Sequence, residues 1–111
     1  MQNFVELISI IIESDEAFEP ACDLFEYGGK LIVELEVPGL DKEHLKIDLY
    51  PDRLVVAGLK RRIELDGVHY TRAERMFGHF KRSIELPFEV EKVEEVSYSK
   101  GVLRVILKKK G

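Results

Sequence analysis

Three histidines (His44, His69 and His79), a single cysteine (Cys22) and 21 carboxylates are the residues of this 111-residue chain equipped for acid–base, nucleophilic or metal chemistry. A metal site needs ligands at spacings that converge on one point, as in Cys-x-x-Cys or His-Glu-x-x-His. No histidine here stands at such a spacing. A nucleophilic thiol needs a base beside it, and the pattern places no histidine against Cys22, which reads as a half-buried strand thiol. "YGGK" (Tyr27 to Lys30) has the glycines of a phosphate loop but not the strand-to-helix setting that makes one. Carboxylate pairs such as Glu94-Glu95 read as solvated faces. These residues predict no catalysis, no bound metal and no cofactor.

Charge points elsewhere. Seventeen Lys and Arg against 21 Asp and Glu leave a net charge of −4, which disfavours general nucleic-acid binding. Residues 1–52 hold 13 acidic and 3 basic side chains, whereas residues 53–111 hold 8 and 14. Such a split favours contact between the halves, within one chain or between two. The closing "KKKG" then reads as a solubilising strand end. One cysteine cannot make an internal disulfide, which suits a reducing, cytoplasmic setting. Met1 is followed by no basic region or cleavage site of a signal peptide. The apolar run Ile10 to Ile12 is far too short to span a bilayer, so no integral membrane association is expected.

Two hydrophobic periods organise the chain. Phe4, Leu7, Ile8 and Ile11 recur at helical spacing and predict a short amphipathic arm over residues 1–19, ended by Pro20. From residue 20 to 111 the period is two. Leu31, Val33, Leu35 and Val37 alternate with more polar neighbours until Pro38-Gly39 interrupts them. Leu45, Ile47 and Leu49 repeat the pattern, as do Phe80, Ile84 and Leu86, and then Leu103, Val105 and Leu107. Leu54 to Ala57 and Val93 to Tyr98 read as short strands. Seven or eight strands without a long helix predict an all-β, immunoglobulin-like antiparallel sandwich, since two half-apolar sheets hide their faces against each other. At this length a single domain buries roughly two-thirds of its unfolded surface.

The order of strands and turns resembles the alpha-crystallin domain of small heat-shock proteins. The likeness is carried by "VELEVPGLDKEHLKIDL" (Val33 to Leu49), Leu54 to Gly58, "YTRAERMFGHFKRSIELP" (Tyr70 to Pro87) and "GVLRVIL" (Gly101 to Leu107). The long segment between Gly58 and Gly78 matches the bacterial, archaeal and plant type. The resemblance implies a homodimer made by strand exchange, in which Val68 to Glu74 pairs with Ala21 to Glu26 of a second copy. Its interface candidates are Cys22, Leu24, Glu26, Val68, Tyr70, Arg72, Glu74, Arg75 and Arg82. Glu19, Asp23 and Glu26 on one side would meet Arg61, Arg62, Arg72 and Arg75 on the other. Arg82 shares its face with Phe80 and Ile84, so it needs either a carboxylate across the seam or an edge where its head reaches water.

The implied activity is ATP-independent holding of partly unfolded proteins, which prevents their aggregation. Candidate client surfaces are the arm (Phe4, Leu7, Ile8, Ile11) and a groove in which Leu45, Ile47 and Leu49 face residues near Val102, Arg104 and Ile106. Relatives carry an Ile-x-Ile anchor after the last strand; with none before Gly111, either the sequence is trimmed or assembly stops at a dimer or small oligomer. Two other readings share the sandwich: a co-chaperone module of the p23 type, and a structural assembly protein.

Overall fold

The computed structural model describes residues 17–62 and 65–111. Seven strands follow in order: β1 (Cys22–Tyr27), β2 (Lys30–Glu36), β3 (Leu40–Leu49), β4 (Arg53–Lys60), β5 (Gly78–Glu85), β6 (Val90–Ser99) and β7 (Val102–Lys109). They form two antiparallel sheets, one ordered β1-β2-β7-β6 and the other β3-β4-β5. The expected all-β sandwich is the fold.

The core follows from the period-two pattern. Leu31, Val33 and Leu35 of β2 and Leu103, Val105 and Leu107 of β7 are buried in one layer. Leu54, Val56, Phe80 and Ile84 meet them from the other sheet. In register, Val33 stands opposite Val105, and Leu54 opposite Ile84. Alternation therefore puts Leu31, Val33, Leu35, Leu103, Val105 and Leu107 on the same inner side, with Ile32 and Ile106 on the outer one. β4 is buried on both faces, because Val55 and Ala57 are covered as well. β6 runs the full length from Val90 to Ser99, beyond the short strand expected over Val93 to Tyr98. Two register shifts, between Val90 and Lys92 and between Val93 and Glu95, break its alternation and hide its length from a pattern search.

Two turns and one close approach set the register. The β6–β7 hairpin closes through Lys100 and Gly101, both at positive φ (52° and 78°), as the tight two-residue turn requires. Gly101 packs on Pro38 and accepts a hydrogen bond from the Val37 amide at 2.8 Å. This ties the hairpin to the "VPG" interruption. Tyr98 Oη donates to the Val37 carbonyl at 2.8 Å and accepts from the Leu40 amide at 3.4 Å, joining the two sheets where the chain crosses between them. At Gly58 the Phe80 ring lies so near that an added Cβ would stand 2.7 Å from Cζ and 2.9 Å from the His44 carbonyl oxygen.

Gly58→Ala should therefore lower the unfolding free energy by about 1–3 kcal/mol through overpacking. The measurement is the urea midpoint, with the slope unchanged; an unmoved midpoint would show that the Phe80 ring yields freely.

Candidate functional site

Sheet edges decide what this molecule offers to other chains. β3 and β5 flank one sheet, and β1 and β6 flank the other. The β5 edge is covered by its own chain. The Phe18 amide donates to His79 O at 3.2 Å, and the Lys81 amide donates to Phe18 O at 3.0 Å. The Phe18 ring packs 5.9 Å from that of Phe80. Arg82 secures the next residues, with Nη1 3.4 Å from Pro20 O and 3.9 Å from a Glu19 carboxylate oxygen. The arginine thus finds carbonyl and carboxylate partners inside one chain, at the seam between β5 and the start of β1.

β1 is different. It pairs with β2 on one side, Leu24 facing Val33 and Glu26 facing Leu31 in register. Within the described chain it has no strand on its other side. Leu24, Phe25 and Tyr27 are exposed, Tyr27 to 75%. An open edge of this kind displays unpaired backbone donors and acceptors, a template for another strand.

The segment from Arg61 to Phe77 is the second element. Its described residues form no strand within this chain, and Leu65, Val68, Tyr70 and Met76 are exposed. Its root is anchored. Arg61 donates through Nε to Asp41 Oδ2, and its amide donates to Gly39 O at 3.3 Å. Asp41 also accepts the Glu43 amide at 3.0 Å and lies 2.9 Å from His44 Nδ1. Arg61 hydrogen bonding, helped by Glu43 and His44, holds the Asp41 carboxyl below the usual aspartate range. Further along, the Arg62 guanidinium lies 4.6 Å from the Tyr70 ring centroid and 4.4 Å from that of Phe77, while Arg75 covers Phe77 at 4.8 Å. These stacks fold the loop's ends together.

The expected site residues distribute as follows. Cys22 is half-buried at the start of β1, its thiol directed to Asp23 O at 3.7 Å. Burial raises its pKa, with Arg82 opposing. Glu26 pairs with Lys109 at 2.7 Å, so one acidic group of the β1 rim is engaged within its own chain. Arg72, Glu74 and Arg75 line a single cleft with Tyr70, and Val68 lies exposed before it. Leu45, Ile47 and Leu49 pack half-buried against the core. Val102 and Ile106 belong to the other sheet and alternate with the inward Leu103, Val105 and Leu107. The structure does not bring these two groups together in one groove. Phe4, Leu7, Ile8 and Ile11 lie outside the described residues. The basic end of β7 is neutralised by neighbours: Lys108 meets Glu91, Lys109 meets Glu26 and Lys110 meets Glu89.

The Asp41–Arg61 anchor and the Phe18 edge cover were not singled out from sequence. Asp41, Glu43 and His44 crowd one short stretch, which was the available signal for the first. Nothing in the sequence marks the second, since it depends on where β5 lies. Among the described residues, no group of three or more His, Cys, Asp and Glu could hold a metal, and no helix is long and apolar enough to cross a membrane.

A two-sheet sandwich with this strand order, an open β1 edge and a long loop before β5 defines a class, and comparison with known proteins names it. The Hsp20/alpha crystallin family profile matches residues 23–111. The chain is 33% identical over 92 residues to a 17.6 kDa class II heat shock protein of Arabidopsis thaliana, covering 78% of this chain and 59% of that protein. It is 38% identical over 82 residues to a 17.5 kDa class I heat shock protein of Glycine max, covering 70% and 53%. Among solved structures, HSP18.5 from E. histolytica superposes with a TM-score of 0.72 at 29% identity, covering 84% of this chain and 89% of that one. Heat shock protein 16.0 from Schizosaccharomyces pombe gives 0.71 at 26%, covering 85% and 92%. The chain belongs to the Hsp20/alpha crystallin family. It spans little more than half the length of the two plant relatives.

Two pH dependences follow. Because the folded pKa of Asp41 is depressed, its contribution is complete above the unfolded value and is lost as pH falls through the folded one. Arg61→Gln should move the Asp41 titration upward in a carboxyl-detected NMR experiment; an unmoved midpoint would deny the anchor. Burial lowers the His79 pKa first, and nearby His44 adds to this, while its Nδ1 is buried without a hydrogen-bond partner. The unfolded chain then binds this proton before the folded one. Stability should fall as pH drops from about 6.5, the ordinary histidine value, toward the lower folded value. His79→Gln should flatten that fall in urea midpoints taken at pH 7.5 and 5.5.

Proposed function

We propose that this protein is an ATP-independent holdase that binds partly unfolded proteins, and that its working unit is a homodimer made by strand exchange. The observation that carries this reading is the pairing of a β1 edge left open among the described residues with an exposed loop whose described residues form no strand. Residues 68–74 of one copy would add a strand beside β1 of the other, satisfying backbone groups on both. Asp23 on β1 and Arg72 and Arg75 on the loop would orient the approach, since complementary rim charge directs docking more than it adds affinity. Family membership supports the same reading.

Holding a client requires apolar surface that folding leaves available. The proposed surfaces are the arm residues Phe4, Leu7, Ile8 and Ile11, together with the half-buried Leu45, Ile47 and Leu49 along the β3 edge and Val102 and Ile106 on β7. None of this needs a nucleotide, a metal or a nucleic acid. The lone cysteine fits action in a reducing cytoplasm.

The full chain should suppress heat-induced aggregation of a model enzyme without ATP; no suppression at a twofold molar excess would refute the activity. Light scattering at micromolar concentration should give twice the chain mass. Tyr70→Pro, which removes a backbone donor from the exchanged strand, should shift the mass to that of one chain while leaving the far-UV circular dichroism of the sandwich intact. A monomeric parent would defeat the exchange but leave the holding activity to be judged by the aggregation assay.

A further inference from the structure

The root of the 61–77 loop encloses a cleft of about 460 Å³ lined by Arg61, Arg62, Arg72 and Arg75. One carboxylate, Glu74, lines it with them. Arg61 is matched by Asp41. Among the described residues, Arg62, Arg72 and Arg75 make no ion pair, whereas Lys108 and Lys109 of β7 and the following Lys110 each have a carboxylate partner. Three uncompensated guanidinium groups around one concavity repel one another unless an anion enters.

Two of the three are held in orientation. Arg62 stacks on both Tyr70 and Phe77, and Arg75 stacks on Phe77. Arg62 Nη2 also lies 3.5 Å from the Arg75 carbonyl oxygen. Stacking occupies the flat faces of a guanidinium and leaves its in-plane N–H donors available. Such planar forks match phosphate oxygens in pairs. Both aromatic rings of the cleft are already covered by guanidinium groups, so a nucleobase has little ring face left on which to stack.

From this convergence we propose that the cleft binds a chain of linked phosphates, with Arg62, Arg72 and Arg75 as its ligands. The site stands on the cleft as one chain forms it and does not rest on client holding; because Arg72 and Arg75 are also the charges proposed to orient strand exchange, the binding measurement is paired with the particle mass. The same chemistry is found in inorganic polyphosphate and in the tail of a nucleoside triphosphate.

Isothermal titration of the full chain with inorganic tripolyphosphate tests the site, with sulfate and ATP titrated at the same ionic strength. Tripolyphosphate should bind saturably, one per chain, at least tenfold or so more tightly than sulfate, since several charge-assisted bonds replace one or two. ATP binding of equal strength would assign the site to any triphosphate; tripolyphosphate binding alone would assign it to the inorganic chain. The double change Arg72→Gln with Arg75→Gln should weaken binding by roughly tenfold or more, and Arg62→Lys should weaken it although the charge is kept. The double change Lys108→Gln with Lys109→Gln, on β7, should leave it within about twofold, as a distant surface pair would. Equal losses in the β7 and loop variants, or tripolyphosphate binding no tighter than sulfate, would overturn the proposal. Light scattering on the same samples keeps the outcomes distinct, because loop-dependent binding supports the site whether the particle is a monomer or a dimer.

Discussion

Leu31, Val33 and Leu35 on β2 and Leu103, Val105 and Leu107 on β7 can leave water only if a second sheet covers them, and the remaining architecture answers that demand. Leu54, Val56, Phe80 and Ile84 supply the cover. Each fully buried side chain of this size contributes about 1.5–3 kcal/mol relative to exposure, offset by the cost of ordering the chain. Since only one interior exists, its strands must be held in register by close contacts. Phe80 reaches its place only because Gly58 has no side chain, and the Tyr98 bridge to Val37 and Leu40 fixes the crossing between sheets.

A sandwich satisfies the faces of its sheets but not their edges. This chain treats its edges unequally. β5 is covered by residues 17–20, whereas β1 has no covering strand among the described residues. The chain also carries a long exposed loop whose root is pinned by Arg61 to Asp41 and folded by Arg62 and Arg75 around Phe77. An edge and an unpaired segment in one molecule invite association between copies rather than closure within one. That asymmetry links the fold of this Hsp20/alpha crystallin family member to the exchange dimer proposed for it.

Electrostatics sharpen the contrast. The acidic first half and basic second half mix within the four-stranded sheet, where Arg104 meets Glu34, Lys30 meets Glu94 and Lys109 meets Glu26. Exposed pairs of this sort add little stability, so their chief effect is to cancel charge along the sheet. Arginine remains uncancelled at the loop. The tail that looked most cationic in the sequence is therefore largely neutralised, and the cationic surface lies instead beside the proposed exchange strand.

Alternation at period two was enough to determine the sandwich and its inward residues, because burial on one face leaves a mark every second position. Leu31, Val33, Leu35, Leu103, Val105 and Leu107 were legible for that reason, and so was the Gly101 turn. The length of β6 was not, since two register shifts erase its period. Nor could the pattern choose partners for Arg82: Pro20 and Glu19 are 62 and 63 residues away and meet it only after the chain has crossed from one sheet to the other. The same holds for the separation of Leu45, Ile47 and Leu49 from Val102 and Ile106, the cover that Phe18 lays on β5, and the gathering of the loop arginines around two rings. Local periodicity records which side of a strand is dry. Which strand becomes an edge, and what lies across a seam, depends on contacts between distant segments, and these exist only once the two sheets have closed.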